Sequence, residues 1–360
     1  MAVNSKLRSF YHGLFDGLEN FSANNIMKIQ EWRYLLKYTN RKNKLTREQK
    51  KQIRQYWKKY THISPLWAKY YTGNGNDFDP RYIPNTLIYG KIDKYFNNKQ
   101  LAWGMCDKNY YSKLFAGFLQ PECIVRKIGD ILYDENYRLI SEKQALELVK
   151  SERKFIYKPT LETGSGRGIE FVDQKIDSDD KLKQLINSTG NYTIQKIIQQ
   201  HEDLKKIHKE SVNTIRITSL IIDSEVYILS SVLRMGVDKS NVDNATAGGI
   251  TCGIMPDGTL RDYATSYYAG KKIYKHPQGF VFKGFKVPSY LRSVAMVKEM
   301  HSIIGHFKLA SWDIAVREDG EPILIEVNLR KGSINFHQFN NGPLFGDLTD
   351  KVLDEVFARK

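Results

Sequence analysis

Near the C-terminal end of this 360-residue chain, two carboxylates and an amide stand at a spacing that could hold a divalent cation. Asp313, Glu326 and Asn328 fall in the run WDIAVREDGEPILIEVN, residues 312–328. Asp319-Gly320 suits a two-residue type I′ hairpin turn, because both central residues need positive φ. That turn pairs Glu318 with Glu321 and, counting outward, Asp313 with Glu326, while Asn328 lies two residues further on the same face. Ala315 and Leu324 pair on this face as well. Trp312, Ile314 and Val316 stand across from Val327, Ile325 and Ile323 and make the other face core. Opposed Cβ atoms are roughly 4.5–5.5 Å apart, so the two acids repel unless a cation lies between them. Hard oxygen ligands in this number suit Mg²⁺, which completes its shell with water and phosphate oxygens. A surface hairpin with solvated acids is the alternative, and the apolar opposite face weighs against it.

A second group could hold phosphates. In FIYKPTLETGSGRGIEFVD, the strand Phe155–Tyr157 delivers Lys158, a glycine-rich loop runs from Thr160 to Gly168, and strand character resumes at Ile169. A glycine loop between antiparallel strands can bring backbone N–H groups close to phosphate oxygens. Gly164, Gly166 and Gly168 are spaced G-x-G-x-G, which is neither a Walker A motif nor a dinucleotide fingerprint. Two further cations, Arg216 and Arg234, are the only charges in the apolar runs 212–222 and 226–236. A strand arginine costs free energy on burial unless it is paired, so each is expected to face a polar cleft or a carboxylate. A structural salt bridge is the alternative for both. His201 and His208 read as structural. No Ser-His-Asp or Cys-His set is evident, so covalent catalysis by a side chain is not indicated.

These residues need elements to hold them. Residues 1–38 carry helical stripes at Phe10, Leu14 and Leu18 and at Ile26, Ile29, Trp32 and Leu36. A helix begins at Thr46 with Gln49 in the capping-box position; Ile53, Tyr56, Trp57 and Tyr60 form its apolar face and Lys51, Arg54 and Lys58 lie opposite, and packing is expected, with a place on a membrane surface as the alternative. Residues 61–104 hold turn signals without a period. Residues 107–120 read as a helix stopped by Pro121, residues 123–134 as strand, and Ser141 caps a short helix. Residues 192–200 read as strand, 201–211 as a crossing between lobes, 212–222 and 226–236 as adjacent antiparallel strands, and 288–307 as a long helix.

Composition sets the frame. Hydrophobic residues make up 41% and charged residues 26%, as in soluble globular proteins. No run of about 18 apolar residues is present to span a bilayer. Cys106, Cys123 and Cys252 are scattered and odd in number, which suggests neither disulfides nor zinc. With no apolar leader in MAVNSKLRSF, the chain reads as cytoplasmic. The net charge is +15, and residues 1–60 hold 14 Lys/Arg against 4 Asp/Glu, or +10. Such an arm could attract an anionic membrane surface, nucleic acid or an acidic polymer. The solvated side of ordinary helices is the alternative.

Taken in order, the pieces over about residues 105–360 resemble the ATP-grasp superfamily, and in detail its sugar-transfer-associated branch. The landmarks are Asp107-Lys108, Lys158-Pro159 before the glycine loop, the strand Tyr192–Ile198, Ser211 to Arg216, Asn244 with Gly248-Gly249, Trp312-Asp313, Glu326-Val327-Asn328, and Gln338 followed by Gly342-Pro343-Leu344-Phe345-Gly346-Asp347. The resemblance implies an α+β, ATP-grasp fold in which two antiparallel-sheet lobes clasp ATP. The implied nucleotide lobe spans about 150–205 and the metal and substrate lobe about 206–360, after a basic, mostly helical region at 1–104.

It also implies roles. Lys108 and Lys158 match the phosphate-holding lysines, and the loop from Gly164 through Ser165 and Gly166 to Gly168 matches the flap over the phosphates. Gln195, Lys196 and Ile198 match the adenine hinge, with an amide at Gln195 where glutamate is common. Glu202 is the candidate for the ribose hydroxyls. Asp313, Glu326 and Asn328 match the Mg²⁺ ligands, for two ions, with Mn²⁺ as a substitute. Arg330 sits where related ligases hold the acceptor carboxylate or acyl phosphate, and Arg216 and Arg234 would neutralise the transferring phosphoryl group. The expected activity is ATP-dependent carboxylate–amine ligation, joining an amino acid or amine to a free, nucleotide-linked or lipid-linked sugar acid, such as a hexuronic acid of a capsule or O-antigen precursor. No nucleic acid is expected as partner, and the basic arm suits the inner membrane face. A kinase acting on a hydroxyl and a nonenzymatic nucleotide-binding scaffold are the alternatives.

Overall fold

The computed structural model describes residues 29, 32, 35–39, 44–72, 77–161, 166–238, 243, 248–266, 271–330 and 332–358. The stripe at Phe10, Leu14 and Leu18, together with Ile26, Gly164, Ser165 and Asn244, lies outside them. Contacts divide the chain into two compact units: residues 1–95 with 342–360, and residues 96–341.

The regular elements described in the first unit are helices. Thr46 caps the helix Arg47–Trp57 in a capping box with Gln49, as its sequence predicts. The apolar stripe turns inward, where Ile53 and Trp57 are buried. Trp57 Nε1 donates to the Pro80 carbonyl at 2.7 Å. The helix Thr349–Ala358 joins this unit. Tyr56 donates to Asp350 at 2.6 Å and Tyr60 to Asp354 at 2.9 Å, and Lys91 Nζ lies 3.6 Å from the centre of the Phe357 ring. The C-terminal segment, expected to belong with the metal and substrate lobe, groups instead with the helical unit.

The second unit contains two antiparallel sheets. The first has five strands, β1 Cys123–Ile128, β2 Ile131–Tyr133, β3 Lys154–Pro159, β4 Glu170–Asp173 and β5 Tyr192–Lys196, in the order β2-β1-β5-β3-β4. Its outer face is covered by the helices Glu142–Lys150 and Asp179–Ile186, and Val125, Phe155, Tyr157, Val172 and Ile194 form the core between them. β1 and β2 extend this sheet to residues ahead of 150.

The second sheet has seven strands, β6 Thr214–Ile222, β7 Glu225–Met235, β8 Ile250–Ile254, β9 Leu260–Ser266, β10 Lys272–Ile273, β11 Leu309–Val316 and β12 Pro322–Asn328, in the order β10-β9-β8-β7-β6-β11-β12. Alternation along β6 sends Ile215 and Ile217 into the main core with Trp312, Val297 and Met300. It leaves Arg216 and Thr218 on the opposite face. The helix Tyr290–Ile303 contributes to that core, and Trp312 Nε1 is satisfied by Ser219 Oγ at 2.8 Å.

The β11–β12 hairpin departs from the expected turn. Arg317, not Glu318, meets Glu321, and Gly320 carries φ +82°, so the loop has three residues. Near the turn the register is Val316↔Pro322, Ala315↔Ile323 and Ile314↔Leu324; Ile325 is then skipped, and beyond it Asp313 pairs with Glu326, Trp312 with Val327 and Ser311 with Asn328. The bulge at Ile325 cancels the extra loop residue. Asp313 opposes Glu326 for that reason, while Ala315 and Leu324 do not pair.

Candidate functional site

The site lies in the second unit, between the two sheets. β12 is an edge strand, and residues 106–119 cover its free side: Leu324 N–H donates to the Leu119 carbonyl at 2.9 Å and Val327 N–H to Tyr111 Oη at 3.2 Å. The helix expected over residues 107–120 is only a tight turn at Lys108–Tyr110 and four residues at Tyr111–Leu114. Asp107 Oδ1 caps the turn by accepting from Asn109 N–H at 2.9 Å. Asn109 in turn donates to the Lys127 carbonyl at 3.1 Å and to Thr160 Oγ1 at 3.3 Å, and its own carbonyl accepts from Arg126 at 2.6 Å. Lys108 is thereby held against both sheets. Its ammonium lies 3.0 Å from Glu326 Oε1.

Lys158 arrives from β3. Among the described residues its ammonium has no hydrogen-bond or ion-pair partner. Burial first, and then the charge of Lys108, push its pKa down to about 8, against the pull of Glu326. Beyond it, Gly166 and Gly168 adopt φ of +71° and +74°, and a Cβ at Gly168 would stand 2.9 Å from Pro159 Cγ. Only glycine suits that position.

Asp313 is engaged by two arginines. Oδ1 accepts from Arg216 Nε, and Oδ2 accepts from Arg216 Nη2 at 2.7 Å and from Arg234 Nη1 at 3.0 Å. Burial would raise this carboxyl, but the two guanidiniums outweigh it and hold the pKa at about 2. Arg234 also lies 3.3 Å from Asp243, whose pKa burial raises and whose other oxygen accepts from Thr214. Within this cluster, four cations (Lys108, Lys158, Arg216, Arg234) face three carboxylates (Asp243, Asp313, Glu326). The excess suits a polyanion.

The donor set fits a hard cation. Glu326 Oε2 and Asn328 Oδ1 have no protein partner among the described residues, and Asn328 Nδ2 is a buried donor likewise without one. Asp313 can contribute only by sharing an oxygen with an arginine. Among the described residues no three His, Cys, Asp or Glu side chains gather closely enough to hold a metal by themselves, so water and phosphate would supply the remaining ligands.

A cavity of about 240 Å³ adjoins these groups. Ile156, Phe171, Ile198, Val212 and Ile325 give it apolar walls, and Lys158, Thr214 and Asp243 line its polar end. The Lys196 backbone lines it too, but its side chain turns away to Glu122 at 2.8 Å and Glu152 at 3.2 Å. Its N–H is committed to the Glu122 carbonyl at 2.9 Å. Gln195 pairs with Ile156 across β5 and β3 and is buried without lining the cavity.

Glu202 stands outside. Its side chain is 72% exposed and pairs with Lys205, one of the residues that do line the cavity. Besides Asp243, Glu210 lines the cavity, and its Oε2 is buried without a hydrogen bond. Sequence reasoning missed Glu210 and Asp243. Arg330 is exposed, its guanidinium carbon 3.5 Å from the centre of the Trp103 ring, and Lys99 Nζ holds the Leu329 carbonyl at 2.7 Å. His208 is structural: Nδ1 meets Ser211 Oγ at 2.9 Å and Nε2 the Asp238 carbonyl at 3.1 Å. His201 caps the short turn after it, accepting from Asp203 N–H at 3.1 Å.

Solved structures with a similar fold include the ATP-grasp ligase PsnB complexed with minimal precursor, at 12% identity over 72% of this chain and 64% of that chain, with a TM-score of 0.41. The VanG D-Ala:D-Ser ligase from Enterococcus faecalis matches at 15% identity over 70% and 61%, TM-score 0.42, and the D-cycloserine synthetase DcsG at 14% over 71% and 73%, TM-score 0.42. The chain spans about three-fifths of the length of the first two. No curated protein matches it. The family model for sugar-transfer associated ATP-grasp matches residues 91–352, beginning ahead of the expected residue 105. The chain belongs to the sugar-transfer associated ATP-grasp family.

Proposed function

We propose that the chain is an ATP-dependent carboxylate–amine ligase working through an acyl phosphate. The observation that carries this reading is the meeting of Lys108, Lys158, Arg216 and Arg234 with Asp313, Glu326 and Asn328 around one cleft that has an apolar cavity at its end. The cavity takes the adenine, with Ile198 offering its backbone, and Glu210, rather than Glu202, faces the ribose. Lys108 and Lys158 hold the phosphates. Glu326 and Asn328, with a shared oxygen of Asp313, hold Mg²⁺, which when bound offsets phosphate charge.

The substrate carboxylate attacks the γ phosphorus, the bond to the β–γ bridging oxygen breaks, and ADP leaves. Arg216 and Arg234 stabilise the charge spread over the transferring phosphoryl oxygens. An amine then attacks the acyl carbon and inorganic phosphate departs. Gly166 and Gly168 let the flap close over the intermediate, which water would otherwise hydrolyse. Arg330 receives the acceptor's anionic group. For the acceptor we favour a sugar acid, a hexuronic acid, and for the amine an amino acid or simple amine; the family's sugar-transfer association supports the first.

An ADP-release screen of uronic acids and nucleotide-linked uronic acids against amino acids, with Mg²⁺ and hydroxylamine present, tests this. A hydroxamate formed in step with ADP is the expected result. ADP with a phosphorylated sugar and no hydroxamate would make the chain a kinase.

A further inference from the structure

Residues 1–60 carry a net charge of +10, and the structure separates the part of this arm that packs from the part that does not. The helix Arg47–Trp57 turns its apolar face inward. The helical residues before it behave differently. Leu35 is buried at 2% exposure, whereas Ile29, Trp32 and Leu36 are 56%, 53% and 54% exposed. Positions 29, 32 and 36 are three and four apart, which places them along one side of a helix. An open stripe of three large apolar side chains marks an interaction surface more often than chance exposure.

Charge and shape say what it fits. In the sequence, residues 28–44 hold Lys28, Arg33, Lys37, Arg41, Lys42 and Lys44 against Glu31 alone. Trp32 also lines a cleft of about 370 Å³ with Leu35, Ile63, Trp67 and Leu87, so the apolar surface continues inward behind the stripe. An acidic polymer would engage the cations and leave Ile29, Trp32 and Leu36 in water. A neutral apolar partner would leave the cations without counter-charge. The surface that answers both is an anionic phospholipid bilayer: indole and leucine side chains enter the headgroup boundary, and lysine and arginine reach the lipid phosphates.

We propose that the stripe Ile29, Trp32 and Leu36, with its flanking cations, docks the chain on anionic lipid. No helix of the described residues is long and apolar enough to cross a membrane, and the contact proposed is with the bilayer surface. This inference is independent of the ligase reading.

Vesicle sedimentation of the full chain tests it, with phosphatidylcholine vesicles against mixed phosphatidylcholine–phosphatidylglycerol vesicles. Binding is expected only to the anionic vesicles and to fall as salt rises. Arg33→Glu and Lys37→Glu should each weaken it at least fivefold, from about 1 kcal/mol per charge near the surface. Ile29→Ser with Leu36→Ser should weaken it at least tenfold, while ATP still raises the melting temperature as in the parent chain. No binding to anionic vesicles would overturn the proposal. So would binding to heparin and vesicles alike that ignores Ile29→Ser with Leu36→Ser, which would mean a polyanion site. A dimer in sedimentation velocity that dissociates in that double variant, without vesicle binding by the parent, would assign the stripe to a second copy of the chain.

Discussion

Asp313 receives Arg216 through both of its oxygens, and one of those oxygens also accepts from Arg234. The carboxylate therefore neutralises buried arginines as well as serving as a metal-ligand candidate. Asp313→Asn leaves Arg216 buried without a carboxylate, whereas Arg234 keeps Asp243. Breaking a buried pair from one side costs about 3–5 kcal/mol. Denaturant melts should fall by that order, and Arg216→Met combined with Asp313→Asn should recover part of the loss.

Lys158 makes the site sensitive to alkali. Its pKa is lowered from 10.5 to about 8, by burial first and by Lys108 next. Between those values the unfolded chain holds a proton that the native protein has released, so this group makes stability rise with pH through that window. ATP binding should move the other way. Once the ammonium is neutral, a charge-assisted hydrogen bond is lost, and the Kd for ATP should rise about tenfold between pH 7 and pH 9. Calorimetry with Lys158→Arg, which stays charged, should show a flat profile over the same range.

Glu326 offers one oxygen to Lys108 and leaves the other open. Glu326→Gln should weaken Mn²⁺ binding, read by electron paramagnetic resonance in the presence of a nonhydrolysable ATP analogue, by about tenfold or more. ADP production should fall with it. Unchanged ADP production would remove Glu326 from the metal site.

Two buried histidines predict acid sensitivity. His337 sits between Thr218 Oγ1 at 3.1 Å and Ser230 Oγ at 2.9 Å, and burial first, then Arg216, lower its pKa to about 3. Burial lowers His301 to about 4. Both are depressed from 6.5, so the stability they contribute is complete above 6.5 and is lost as pH falls toward the folded values. Urea midpoints should drop between pH 6.5 and pH 4, and less steeply in His301→Gln.

The Arg330 guanidinium lies over the Trp103 ring, and among the described residues that side chain makes no hydrogen bond. An exposed cation–π contact contributes about 0.5–1 kcal/mol. Trp103→Leu should therefore raise the KM of the acceptor about two- to fivefold and leave the KM for ATP unchanged, as steady-state ADP release would record.

Most elements were legible because each rests on a local signal. The Thr46 capping box, the Ser141 cap, the alternation in β6 and β7, and Gly320 near a turn all act within a few residues. What was not legible depends on distant partners. The pairing of Asp313 with Glu326 follows from sequence only because a miscounted loop and the Ile325 bulge offset each other. Residues 107–120 looked helical by apolar spacing, yet covering the edge of β12 breaks them into short turns. Glu202 and Glu210 are alike as letters, and only the path of the crossing at residues 201–211 sends one to solvent and the other to the cavity. Asp243 gave no local signal, since its partners Thr214 and Arg234 come from β6 and β7.

The helix Thr349–Ala358 also bears on how the chain is made. It supplies Asp350, Asp354 and Phe357 to Tyr56, Tyr60 and Lys91, so the first unit is assembled from stretches almost 300 residues apart. On the ribosome, residues 96–341 emerge as one uninterrupted stretch and can complete their sheets while the helical unit still waits for its last helix. Closure over so long a separation is slow relative to local contacts. The unit translated first is thus the one finished last, and the exposed Tyr56, Tyr60 and Lys91 are what a chaperone would meet in the interval.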